Sequence, residues 1–192
     1  MSREGWREIA ARRKARELAL QGVYQHLLHN TPVSRAETAA ETETPSAPSR
    51  VSLAEQSPQV QLHAIEEILA SASPEEIDKE TTGARPPADA GFFTALLQGA
   101  VNEAEELRAL FAPLLTRAVA ELSPVEHALL LLGAFELRHD IETPYRVVIN
   151  EVVELAKKYG GTDGYKFVNG VLDRLAANIR PEEVTATRAA RK

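Results

Sequence analysis

The stretch TPYRVVINEVVELAKKYGG, Thr143 to Gly161, decides the fold. Its apolar residues recur at three- and four-residue steps (Tyr145, Val148, Val152, Ala156, Tyr159), which is one face of an α-helix and not the alternation of a strand. Thr143 stands where an N-cap belongs, Pro144 fits the first turn, and Gly160-Gly161 stop the helix. DGYKFVNGVLDRLAANIRP, Asp163 to Pro181, repeats the design. Asp163 is its expected cap, Val168, Val171, Leu172, Leu175 and Ile179 its stripe, and Pro181 its terminator. Upstream, SPVE (Ser123–Glu126) has the form of a capping box with proline at the first helical position. The helix it opens, Pro124 to about Arg138, is apolar nearly all round, as a central buried helix is.

Working outward, Phe92–Leu115 is again periodic, with Phe93, Leu96, Leu97, Ala100, Leu107, Leu110 and Phe111 as core candidates. Glu17–Leu28 carries Leu20, Val23, Tyr24, Leu27 and Leu28 before NTP ends it. Thr31–Arg50 lacks apolar periodicity and is rich in Ala, Thr, Glu, Pro and Ser, the composition of a disordered linker. A marginal helix is expected after Ser52, through Val60, Leu62, Ile65, Ile68 and Leu69. No strand pattern bounded by hairpin turns occurs, so the expected fold is all-α. It divides into an arginine-rich first helix (1–30), an acidic low-complexity insertion (31–89), the remaining helical domain (90–181) and a flexible tail (182–192).

The chain has 192 residues, 44% of them hydrophobic, enough for a real core. It has no cysteine, which excludes disulfides, thiol catalysis and Cys-ligated zinc. The longest apolar run, Ala128–Phe135, is far short of the roughly 20 residues of a membrane span. No apolar segment follows the basic N-terminus as in a signal peptide, and a soluble cytoplasmic protein is expected. His26, His29, His63, His127 and His139 show no metal-ligand spacing, and there is no phosphate loop or nucleophile elbow. The sequence therefore points to no enzyme, no metal and no cofactor.

Net charge is −6, but unevenly spread. Residues 1–16 hold six Arg and Lys against two acids, whereas residues 31–90 hold eleven acids against four bases. One end seeks an anion. RRKARE, Arg12 to Glu17, packs four cations into five residues at what reads as a helix start, where each meets the positive end of the helix dipole at a cost of about 0.3–1 kcal/mol. Carrying the stripe back from Leu27, Val23 and Leu20 leads to Arg16 and Arg13. Guanidinium groups thus replace the apolar face, and the first turns are expected to overhang the core. Such a row suits the phosphates and bases of a nucleic acid. A solvated helix start, with Arg16 paired to an acid, fits the spacing equally well.

ARRKARELALQGVYQ, SPVEHALLLLGAFEL and PYRVVINEVVELAKKYGGTDGYKFVNGVLDRLA together resemble the NusB family of transcription antitermination factors. The likeness covers roughly residues 7–30 and 90–181, and the segment between reads as a longer insertion than the family carries. The resemblance implies an all-α fold of two packed helical bundles and a non-catalytic role. It implies binding of boxA RNA in ribosomal-RNA leader transcripts with the ribosomal protein NusE, and joining the elongating RNA polymerase with other Nus factors. It places Arg12, Arg13, Lys14 and Arg16 in an RNA-contacting motif, and Tyr24 near the same surface, where a core tyrosine with a wet hydroxyl is the alternative. Lys166 is then a phosphate contact, Phe167 a stacking residue and Asp163 a positioning residue beside them; core packing for Phe167 and capping for Asp163 are the plainer readings. Glu126 is either the capping-box acid or a contact to NusE. Asn150 and Asn169 are expected to satisfy backbone or interhelical groups. A homodimer in the absence of partner, a module related to the N-terminal domain of ribosomal-RNA cytosine methyltransferases, and a helical DNA-binding module are the competing expectations.

Overall fold

The computed structural model describes residues 3–29 and 88–190. The acidic segment expected to hold a marginal helix lies outside them, apart from its last two residues. All regular structure among the described residues is helical, and the chain divides into two units, residues 1–95 and 96–192.

In the first unit, helix α1 spans Arg3–His29. Ala15, Leu18, Ala19, Leu20 and Val23 are buried along it, while Leu28, expected in the stripe, is exposed. Helix α2, Ala90–Asn102, begins in this unit. Asp89 caps it, its Oδ1 accepting from the Phe92 amide at 3.0 Å. The Asp89 amide in turn donates to the Ala11 carbonyl at 3.2 Å, which fastens the start of α2 to the middle of α1.

The second unit continues α2 and adds α3 (Ala104–Phe111), two short 3-10 turns (Ala112–Leu114 and Val119–Glu121), α4 (Pro124–His139), α5 (Tyr145–Tyr159), α6 (Gly164–Ile179) and α7 (Pro181–Ala189). Helices α4, α5 and α6 pack against one another, α3 lies on α4, and α7 on α6. Helix α4 is the centre: Ala128 to Ala134 are all buried. A Cβ at Gly133 would stand 2.8 Å from the buried Leu172 side chain, so the missing side chain is what lets α6 approach α4 so closely. Leu96, Leu97, Ala100, Leu107 and Phe111 are buried as their periodicity requires, and so are Val168, Val171, Leu172 and Leu175.

The helix ends depart from the sequence reading in three places. Thr143 does not cap α5; Pro144 takes the cap position, and the Thr143 hydroxyl donates to Asp140 Oδ2 at 2.7 Å. The first-turn amide of Tyr145 is satisfied from a distance, by Glu183 Oε1 at 2.9 Å. Asp163 precedes α6 without a side-chain capping bond, because its carboxylate is drawn 2.8 Å from Lys166 Nζ. The tail expected to be flexible from residue 182 is helical to Ala189, with Val184 buried. Pro181 ends α6 and opens α7, since its fixed φ and missing N–H suit a first turn.

Arg180, at that corner, is buried and was not singled out by its sequence. Its Nε donates to the Leu137 carbonyl at 2.7 Å, Nη1 to Thr143 at 2.8 Å, and Nη2 to Glu136 at 2.9 Å and Asp140 at 2.7 Å. These carbonyls belong to the last turn of α4 and the loop after it, so one cation gathers acceptors at the negative end of the helix, the Glu136 carbonyl also accepting from the Asp140 amide at 3.0 Å.

Candidate nucleic-acid interface

Because α1 starts at Arg3, the basic block sits in its interior turns and not at its N-terminus, and the dipole penalty foreseen for it does not arise. Its four cations have different surroundings. Arg13 is exposed. Lys14 is half-buried, with Nζ 3.5 Å from Glu17. Arg12 and Arg16 lie over the Phe92 ring, with Cζ 5.1 and 4.9 Å from its centroid, and Arg16 is only 4% exposed. For Arg16 the expected overhang is thus corrected: its guanidinium is taken in against an aromatic face. A planar, weakly hydrated cation tolerates that exchange of water for a π-system better than an ammonium does. Phe92 is the residue sequence reasoning missed. The only hint was the doublet Phe92-Phe93, of which Phe93 is fully buried and Phe92 half-exposed. Tyr24, further along α1, is half-exposed.

In the second unit, Lys166 and Asp163 form an exposed ion pair at the start of α6. Phe167 is half-buried, and the Arg117 guanidinium stacks on its ring with Cζ 4.4 Å from the centroid. Arg117 Nη2 also donates to Glu126 Oε1 at 2.8 Å. Glu126 closes the capping box as its sequence suggests: Oε2 accepts from the Ser123 amide at 3.0 Å and hydroxyl at 2.7 Å, and the Ser123 Oγ accepts from the Glu126 amide at 3.3 Å. Burial opposes ionisation of this carboxyl, but the Ser123 bonds and the Arg117 charge outweigh it and hold its pKa below the usual value. Glu126 and Phe167, read separately from the sequence, are therefore joined through Arg117, 9 residues upstream of Glu126.

His127 is a core acceptor. Its Nε2 receives the Arg108 Nε–H at 2.9 Å and its ring meets Phe111 edge-on at 6.3 Å. Burial, and then the Arg108 charge, press its pKa down to about 4. The unfolded chain takes up a proton below the ordinary pKa of 6.5 while the folded one does not. Stability is therefore expected to fall as pH drops from 6.5 to 4, by about 2 kcal/mol after allowance for the ring's partial exposure. An NMR titration checks it: the His127 ring is expected to stay neutral at pH 5.5, and a midpoint near 6.5 would refute this.

Asn150 and Asn169 line an open groove of about 430 Å³ with Tyr145, Arg146, Asp173 and Arg188. Among the described residues no cluster of His, Asp and Glu suits a metal ion, and no helix is long and apolar enough to cross a membrane.

The NusB family model matches residues 48–177. The transcription antitermination protein NusB of Aromatoleum aromaticum is 47% identical over 180 residues, 94% of this chain and 97% of that one. The protein of the same name from an Azoarcus species is 45% identical, over 93% and 91% of the two chains. A solved structure of NusB from T. maritima superposes with a TM-score of 0.58 at 23% identity, covering 91% of this chain and 96% of that one, and supports the fold. The family match takes in residues 48–89, and the alignments span nearly the whole of both chains. The insertion expected after α1 thus lies partly within the family match, which begins at residue 48. On a family model covering more than half its length and relatives aligned almost end to end, the chain belongs to the NusB family.

Proposed function

We propose that this protein is a non-catalytic, RNA-binding transcription antitermination factor of the cytoplasm. It binds boxA RNA in ribosomal-RNA leader transcripts, pairs with the ribosomal protein NusE, and joins the elongating RNA polymerase with other Nus factors. The observation that carries this reading is the basic block of α1, with Arg13 open to solvent, in a chain aligned almost end to end with proteins named for antitermination. Arg13 and Lys14 serve as phosphate contacts, while Arg12 and Arg16, seated on Phe92, add positive potential from fixed positions. Tyr24 offers a ring for stacking, and Lys166 and Phe167, with Asp163 holding the lysine, supply a second set of contacts. Glu126 is assigned to NusE together with Arg117, since the two present one hydrogen-bonded pair.

An RNA shift titration with and without NusE tests the reading. Affinity for boxA RNA is expected to exceed that for a duplex DNA of the same sequence, and to rise on adding NusE because two weak surfaces then act together. Equal or tighter duplex binding would refute the assignment to RNA. Methyl transfer from S-adenosylmethionine in the same samples is expected to read zero.

A further inference from the structure

Helix α1 runs well ahead of the basic block, and its first turns keep apolar side chains in water: Trp6 is 65% and Ile9 44% exposed. At 3.6 residues per turn, Trp6, Ile9 and Arg13 fall on one stripe, and Tyr24, five turns from Trp6, continues it. Glu4 and Glu8 lie on the opposite side of the helix. Glu17 shares the stripe, one turn beyond Arg13, and its carboxylate is 3.5 Å from Lys14 Nζ, which offsets its charge.

An exposed indole beside cations offers a surface on which a ligand with rings and negative charge can settle. A second copy of the same stripe would bring like charges together, since residues 1–16 carry six cations against two acids. A lipid surface calls for a longer apolar face than Trp6 and Ile9 supply before Arg13 interrupts it. A single-stranded nucleic acid satisfies both features at once, with phosphate on Arg13 and a base on the indole.

We propose that Trp6 is a base-stacking residue, extending the RNA-binding track about 10 Å along α1 beyond Arg13. Ile9 provides the apolar edge against which the stacked base rests. This inference rests on the RNA-binding reading above and adds a contact to it.

Trp6 is the chain's single tryptophan, so its emission reports the contact directly. The probe is a single-stranded RNA 12-mer carrying boxA, titrated in parallel by fluorescence and by gel shift. Tryptophan emission is expected to be quenched with the same midpoint as the shift. Trp6→Leu is expected to bind about ten-fold more weakly and Trp6→Phe nearly as well as the wild type. Unchanged emission at saturating RNA overturns the proposal, whatever Trp6→Leu does. If Arg13→Glu still impairs binding in that case, the arginine reading survives without it. No binding of the 12-mer by the wild type removes both. Emission that responds to protein concentration alone, or to phosphatidylglycerol vesicles and not to RNA, overturns it in favour of a second copy or a lipid surface.

Discussion

Replacing Arg180 with methionine is expected to cost about 3–5 kcal/mol and to lower the thermal midpoint by roughly 6–20 °C. Methionine keeps much of the packing volume but no donor. The carbonyls of Glu136, Leu137, Asp140 and Thr143, each now within 2.7–2.9 Å of a guanidinium nitrogen, would lose a charge-assisted hydrogen bond together. Each such bond is worth about 1.5–3 kcal/mol, but the sum is not additive, and water reaching the corner recovers part of it. Arg180→Lys is expected to recover less than half, since one ammonium cannot span four carbonyls. Arg188→Met, on the exposed side of α7, is the control and is expected to stay within about 0.5 kcal/mol of the wild type. Melting followed by circular dichroism checks all three. A midpoint unchanged in Arg180→Met would show that the corner is not held by this residue.

Arg13→Glu is expected to weaken boxA RNA binding roughly 30- to 150-fold at low salt while leaving the melting curve in place. The substitution removes a phosphate contact and puts a repelling charge at the same point. Arg13 separates binding from folding because its side chain is exposed. Arg16 does not, being buried against Phe92, so any change there disturbs α1 packing as well as charge. The contrast gives a second comparison: Arg16→Glu is expected to lower both affinity and thermal midpoint, Arg13→Glu affinity alone.

The helices of the second unit were legible because their signals are local. A proline at the first turn, a glycine pair at the end and a stripe at three- and four-residue steps need no knowledge of distant partners. Ser123 and Glu126, three residues apart, form the capping box that their spacing announces. Thr143 and Asp163 misled because a short polar side chain before a helix has more than one partner within reach, and here Asp140 and Lys166 win. Arg180 was not legible at all: its acceptors lie 37 to 44 residues away, and nothing in IRPEE distinguishes a buried arginine from a solvated one.

The candidate site shows the same division. The clustering of cations in residues 12–16 could be read directly, but their separate roles could not. Phe92 stands far along the chain from Arg12 and Arg16, across a segment whose composition carries no pairing information. The start of α1 was read too late because Trp6 and Ile9 are the few apolar residues in its first turns, too sparse to form a periodic pattern. Arg117, the link between Glu126 and Phe167, lies in an irregular stretch between two short 3-10 turns, where periodicity says nothing.

The salt dependence of boxA RNA affinity tests the central claim, that the exposed face of α1 holds the RNA backbone, most directly. Each phosphate contact on a single strand contributes about 0.7 to the slope of log K against log salt. Arg13→Ala is therefore expected to show a slope shallower than the wild type by about 0.7, with weaker binding throughout the low-salt range. Identical slopes and affinities for the two proteins would contradict it.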